Sequence, residues 1–234
     1  MRSVSILVIG DEILSGEIAD VNAPYLIGRL SADGVKTVRQ VVAPDEEDAI
    51  VEELTRLRGL SDAVVVSGGI GPTHDDVTRP AIARAFCLPL EEHAEARRRI
   101  VGYYGDEVTE AEISMAMMPR GATLVDGVRT GAFGFGLPGL YVLPGVPFLF
   151  RDLVEGFAPD FQAAPLHKVE LRTDLREGEI APVLSEVQCE LPQVAIGSYP
   201  VCEDNAWHVR VVLRSEDDAA LADAADRMRP RLES

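Results

Sequence analysis

Asp62-Ala63-Val64-Val65-Val66-Ser67-Gly68-Gly69-Ile70-Gly71-Pro72-Thr73-His74-Asp75-Asp76-Val77-Thr78 carries an apolar run straight into three glycines, a proline and two adjacent acids. Residues 63–67 read as a strand of the interior, because a continuous β-branched run leaves no polar face. The glycines that follow let bare backbone N–H groups approach a bound anion without interference from Cβ atoms. Asp75 and Asp76 stand in, or just before, the first turn of the next helix. Carboxylates beside a phosphate cradle repel the ligand unless a divalent cation or a proton lies between them. A connecting turn needs neither so many glycines nor a paired acid, so the segment reads as a site.

The first half of the chain alternates regularly. Residues 4–9 and 35–42 read as strands, and residues 22–32, 45–58 and 77–86 as helices. Asn22 and Asp45 each read equally well as a plain helix cap or as a site residue. The acids 45–48 load the start of one helix, where Ile50, Leu54 and Leu57 recur on one face. Strand–helix alternation of this kind predicts an α/β fold: three layers, with helices on both faces of a parallel or mostly parallel sheet. Residues 91–118 are expected to be helical in two pieces, broken at Gly102 and Gly105. Short strands follow at 123–125 and 140–143, then a helix at 148–157.

Residues 158–165 hold two prolines and no clear period, which predicts a linker. Beyond it the pattern reads strand 166–173, helix 177–190, strands 194–199 and 207–213, and helix 216–232. This makes a small α+β domain near the lower size limit for independent folding. The expected domains are therefore residues 1–158 and 166–234.

Composition excludes several classes of function. The 234 residues carry a net charge of −17, which argues against nucleic acid as a partner. No apolar run reaches the roughly 18 to 20 residues of a membrane span. The short apolar run after Met1 meets Asp11-Glu12 instead of a cleavage site, so a first strand is expected, not a signal peptide, and the location expected is the cytoplasm. Cys87, Cys189 and Cys202 are widely spaced and form no CxxC or Cys/His cluster, so buried or inert free thiols are expected. His74 is the one histidine in the suspected site. His93, His167 and His208 share no metal-ligand spacing.

Open α/β sheets bind ligands at the carboxyl ends of their strands. The loops there are residues 10–22, 43–46, the glycine loop, and Pro144-Gly145-Val146-Pro147. Asp11, Glu12, Asp45, Asp75 and Asp76 are thereby expected to converge on one sheet edge, where helix N-termini favour a phosphate. Pro144-Gly145-Val146-Pro147 alone reads as a turn. Gly131-Ala132-Phe133-Gly134-Phe135-Gly136 lacks GxGxxG spacing, and no P-loop, nucleophile elbow or HExxH helix occurs.

Taken together, residues 9–22, Gly68 to Thr78 and Leu143-Pro144-Gly145-Val146-Pro147 resemble, in order, the three motifs of the CinA-like molybdopterin-binding domain proteins. Arg176-Glu177-Gly178-Glu179-Ile180-Ala181-Pro182 resembles their small second domain. The resemblance implies an α/β domain of the molybdopterin-binding type, shared with MogA, MoeA and the non-synthase domain of eukaryotic FAD synthase. It implies functional roles for Asp45 and Asp76, which match the important acids of MogA-like members. It also implies metal-dependent hydrolysis of ADP-ribose, or of FAD, and a homo-oligomer. Full-length CinA carries a C-terminal deamidase domain; this chain ends before one, so deamidase activity is not expected. Val128 to Phe135 and Phe148-Leu149-Phe150 depart from the family's usual Asn and Pro, and Ser-Glu-Met.

These readings predict a metal-dependent nucleotide pyrophosphatase with a phosphorylated small molecule as its partner. Asp45 and Asp76 are the expected catalytic residues. Asp11, Glu12, Asp75 and Asp76 are the expected ligands of a divalent metal, Mg²⁺, Mn²⁺ or Co²⁺. Gly10, Asn22, Ser67, Gly68, Gly69, Gly71, Pro72, Thr73, Thr78, Pro144 and Gly145 are the expected binding residues. The alternatives are a non-hydrolytic protein of molybdenum cofactor assembly, with molybdopterin as ligand, and a catalytically silent regulatory module.

Overall fold

In the computed structural model, which describes residues 1–161, 163, 166–203 and 206–233, the chain divides into two compact units, Met1–Ala163 and Ala164–Ser234. The first runs β1 (Ser3–Ile9), α1 (Asp11–Leu14), α2 (Asn22–Ala32), β2 (Lys36–Ala43), α3 (Glu47–Arg58), β3 (Ala63–Ser67) and α4 (Thr78–Ala85). It continues through β4 (Leu90–Glu92), α5 (Ala94–Tyr104), α6 (Glu110–Ser114), β5 (Met117–Pro119), β6 (Thr123–Asp126), β7 (Phe133–Leu137), β8 (Leu140–Leu143) and α7 (Pro147–Phe157).

Alternation along the strands sorts the core into two layers. Val4, Ile6 and Val8 of β1 meet Leu26 and Leu30 of α2 and Phe150, Leu153 and Phe157 of α7. Leu7 and Ile9 face the other way, onto Ile50, Leu54 and Leu57 of α3 and Ile82 of α4. Each such side chain, taken fully from water, contributes about 1.5–3 kcal/mol. The sheet order is β2-β1-β3-β8-β7-β6. The first four strands are mutually parallel; β7 runs antiparallel to β8, and β6 to β7. The three-layer, mostly parallel α/β fold is therefore present. The carboxyl ends of β1, β2, β3 and β8 open on one edge, and the start of β7 joins them there.

Several local expectations are corrected. The glycine-rich stretch after residue 131 holds a strand, β7, where a Cβ on Gly134 would lie 2.2 Å from the Val142 carbonyl oxygen. Close approach between strands thus requires the glycine that hides the strand's pattern. Residues 91–118 do contain two helices, α5 and α6, but Gly102 lies within α5. The flanks of the stretch pair as an antiparallel ribbon, β4 with β5.

Asn22 does not cap α2. Asp20 Oδ1 does so, accepting the Asn22 and Ala23 N–H groups at 2.9 and 3.1 Å. Asp45 does not cap α3 either, because that helix starts at Glu47 with Glu46 as its N-cap residue. In the expected linker, Ala158–Asp160 is a 3₁₀ turn, and Ala158 and Phe161 are buried in the α2/α7 layer. Gln162, Ala164 and Pro165 of that stretch lie outside the described residues. All three cysteines are free, but each is exposed, not buried.

The second unit runs β9 (His167–Thr173), α8 (Glu177–Glu190), β10 (Ala195–Glu203), β11 (Ala206–Ser215) and α9 (Asp218–Leu232). Its antiparallel sheet, in the order β10-β11-β9, packs Val209, Val211 and Leu213 against Ile180 and Val187 of α8 and Leu221 and Met228 of α9. Among the described residues, no helix is long and apolar enough to cross a membrane.

Candidate functional site

A cavity of about 780 Å³ opens at the carboxyl edge of the main sheet. Gly10 and Glu12 line it from the end of β1, and Asp45 from the end of β2. Gly68 to Pro72, with Asp75 and Asp76, line it after β3, and Pro144 and Gly145 after β8. Asp11, Asn22, Ser67, Thr73 and Thr78 do not line it; they support the groups that do.

The glycine loop adopts a shape that side chains resist. Gly69 has φ +66°, and a Cβ there would lie 2.2 Å from Thr78 Oγ1. Thr78 sits completely buried at the start of α4, donating its hydroxyl to the Gly68 carbonyl at 3.0 Å and its N–H to the Gly69 carbonyl at 3.1 Å. Asp76 closes the loop from within. Its Oδ1 accepts the Gly71 N–H at 2.7 Å, and its Oδ2 accepts the Thr73 N–H at 2.8 Å and the Thr73 hydroxyl. Gly68 N–H goes to the Leu143 carbonyl at 3.0 Å. Of the expected anion-binding donors, Gly68, Gly71 and Thr73 thus have partners within the protein. Among the described residues, the N–H groups of Gly69, Ile70 and Gly145 have none.

Asn22 joins the three motifs from below. It is 6% exposed, and its amide donates to Ser67 Oγ at 3.1 Å and to the Gly145 carbonyl at 2.8 Å. One side chain therefore ties α2, the end of β3 and the turn after β8 together. Its Oδ1 has no hydrogen-bond partner.

Asp45 Oδ2 accepts the Asp11 N–H at 2.9 Å, which fixes the turn after β1 to the end of β2. Burial, and then repulsion from Asp11, Glu12 and Asp75, push the Asp45 carboxyl above the usual carboxylate range. The acids that the sequence scatters over 65 positions are thus close enough to sense one another. Among the described residues, no three His, Cys, Asp or Glu side chains are gathered to hold a metal ion unaided. That donor set suits a cation bound by one or two carboxylates and completed by phosphate and water oxygens, as Mg²⁺ commonly is.

Two supporting residues escaped the sequence reading. Arg79, 7% exposed, donates its guanidinium to the carbonyls of Ile70 and, at 2.7 Å, Gly71. Burial lowers its pKa, and the charge of Asp76 opposes that fall. A cation in the first turn of a helix faces the unfavourable end of the dipole, a signal that could have marked it. Asp152 of α7 accepts the N–H groups of Arg129 and Thr130 and the Thr130 hydroxyl, with Thr130 at 2.9 and 2.7 Å. These bonds hold its carboxyl below the usual range and shape the turn that leads into β7. Thr130 to Phe135 of that segment, with Tyr103, Tyr104, Met115, Met118 and Phe148, form much of the remaining wall.

Residues 5–163 match the family described as "probable molybdopterin binding domain", and residues 165–234 the family described as "FAD synthase, middle domain". A CinA-like protein of Geobacter sp. (strain M21) is 35% identical over 250 residues, covering 98% of this chain and 58% of its own length. A protein of Pyrobaculum aerophilum is 34% identical over 250 residues, covering 97% of this chain and 94% of its own. The crystal structure of the protein CinA, of unknown function, from Thermoplasma acidophilum aligns with a TM-score of 0.64 at 29% identity. That alignment covers 68% of this chain and 97% of the other. The chain spans about half the length of the CinA-like relatives it matches. Three motifs joined around one cavity, and a family match over residues 5–163, place the chain in the molybdopterin-binding domain family as a CinA-like member.

Proposed function

We propose that the first unit is a metal-dependent nucleotide pyrophosphatase that cleaves the phosphoanhydride of ADP-ribose, FAD or a related dinucleotide. The observation that carries this reading is the meeting of Glu12, Asp45 and Asp75 on one cavity wall with the unpartnered N–H groups of Gly69, Ile70 and Gly145. Repelling carboxylates destabilise a folded site unless a cation joins them, and an anion cradle alone would be better without them. The cavity's volume also suits a nucleotide-sized ligand.

Glu12 and Asp75 would hold a divalent cation such as Mg²⁺, Mn²⁺ or Co²⁺, which polarises phosphorus and acidifies water when bound. The N–H groups of Gly69, Ile70 and Gly145 hold the pyrophosphate oxygens. Asp76 keeps the loop in its binding shape through Gly71 and Thr73. Asp45, with its raised pKa, accepts a proton from water as the water oxygen bonds to phosphorus and the P–O–P bridge breaks. The products are AMP and the phosphorylated remainder of the dinucleotide.

A second reading, non-hydrolytic binding of a pterin phosphate, is supported by the match of residues 5–163 to a molybdopterin-binding family. The two are separated by incubating pure protein with ADP-ribose or FAD and each metal in turn. AMP release that falls about 10²-fold or more in Asp75→Asn supports hydrolysis. No AMP with any metal, alongside tight binding of a pterin phosphate, overturns it.

A further inference from the structure

We propose that Phe148 and the Tyr103–Tyr104 pair form a ring-binding subsite of this cavity, which selects phosphate ligands carrying a planar heteroaromatic group; the proposal rests on the phosphate reading above. The residues on the cavity wall divide by origin. The turns after β1, β2 and β3 bring the acids and bare backbone, whereas α5, α7 and the start of β7 bring tyrosine and phenylalanine, and the end of α6 and β5 bring methionine. A ligand that touches both needs an anionic part and a flat apolar part.

Phe148 has no structural role to explain it. Helix α7 sends Phe150, Leu153, Val154 and Phe157 into the core, each no more than 3% exposed. Phe148, two positions before Phe150, remains 66% exposed on the cavity wall, and its neighbour Val146 is 46% exposed. On α5, Tyr103 and Tyr104 pack edge to face, with centroids 4.9 Å apart and planes at 87°. Tyr103 is 83% exposed, so this pair also presents aromatic surface to water.

Phe133 adds a fourth ring on the same wall, with the Arg99 guanidinium 5.8 Å from its centroid. Met115 and Met118 supply polarisable sulfur, which favours aromatic partners. Rings exposed at a cavity wall favour a flat π-system over a flexible acyl chain, because stacking needs a planar partner.

The test measures binding of AMP, adenosine and ribose 5-phosphate by calorimetry, using the full chain with Mg²⁺. The wild type is expected to bind AMP more tightly than ribose 5-phosphate. Phe148→Ala and Tyr104→Ala are expected to weaken AMP and adenosine by about tenfold or more and to leave ribose 5-phosphate unchanged. Phe148→Leu, which keeps bulk but removes the ring, is expected to fall between Phe148→Ala and wild type. Circular dichroism confirms that each variant folds.

Equal weakening of AMP and ribose 5-phosphate, no weakening of either, or a wild type indifferent to the ring each overturns the subsite. Adenosine bound and weakened by the variants, with ribose 5-phosphate unbound, sinks the phosphate reading and leaves the ring subsite standing. No binding of any of the three overturns both.

Discussion

Asp76 uses both carboxylate oxygens on its own loop, accepting from Gly71, Thr73 and the Thr73 hydroxyl. Its neighbour Asp75 lines the cavity with its side chain 64% exposed. Adjacent acids of identical chemistry therefore have different work: one shapes the cradle and the other meets what enters it. In Asp76→Asn, one amide face is NH₂, so it cannot accept both N–H groups, and a loop donor loses its partner at about 1–3 kcal/mol. The expected result is a lower melting temperature together with lost turnover. Asp75 also has its carboxyl held below the usual range by the Thr73 hydroxyl and its own N–H, so Asp75→Asn should lose turnover and metal affinity with a smaller fall in melting temperature than Asp76→Asn. A melting temperature unmoved in Asp76→Asn would contradict the shaping role.

Asp45 carries the site's pH dependence. Its folded pKa lies above the ordinary value, through burial first and three neighbouring carboxylates next. A group raised on folding contributes stability below its unfolded pKa and loses it as pH rises through the folded one. At pH 7, then, ionised Asp45 weighs against the metal-free fold. Asp45→Asn should raise the metal-free melting temperature at pH 7, on the order of 2 °C, while turnover falls. The gain should vanish below about pH 4, where the wild-type carboxyl is also protonated. A gain that persists at low pH would point to packing and away from charge.

At the scale of elements, the loop between β3 and α4 is held by backbone shape. Gly69→Ala places a Cβ 2.2 Å from Thr78 Oγ1 at a φ of +66°. Thr78 is completely buried and bonded to the Gly68 carbonyl, so it cannot give way freely. The expected loss is about 1–3 kcal/mol, read as a lower denaturation midpoint, with binding lost beyond what stability explains. Wild-type stability in Gly69→Ala would show that the loop relaxes.

Elements with continuous local patterns were legible from sequence. Three β-branched residues in a row announce β3, and α8 is found at the residues its pattern predicts. Elements defined by distant partners were not. Strand β7 is concealed by Gly134 and Gly136, which exist because β8 comes so close. Strands β4 and β5 are three residues each and become visible only as a pair. The same division runs through the site. Glycine and acid positions could be read from their order along the chain. The bond from Asp11 to Asp45, the lacing by Asn22 and the cation Arg79 beneath the loop depend on packing between elements that no local period records.

On the scale of the molecule, the cores of the two units have no residue in common. The two apolar layers flanking the main sheet lie wholly within residues 1–163, and the third cluster wholly within the second unit. Every residue lining the cavity also belongs to the first unit. A chain of that size buries enough surface to fold by itself, whereas a module of about 70 residues is marginal. A fragment of residues 1–163 should therefore unfold cooperatively and bind AMP within about threefold of the full chain. The remaining fragment should melt at a lower temperature than the first, because its single small core faces a proportionally larger loss of chain entropy. If residues 1–163 instead show no cooperative transition, the second unit supplies stabilisation that the separate cores do not reveal. If they fold but bind AMP far more weakly than the full chain, the second unit contributes to the ligand site from outside the cavity wall.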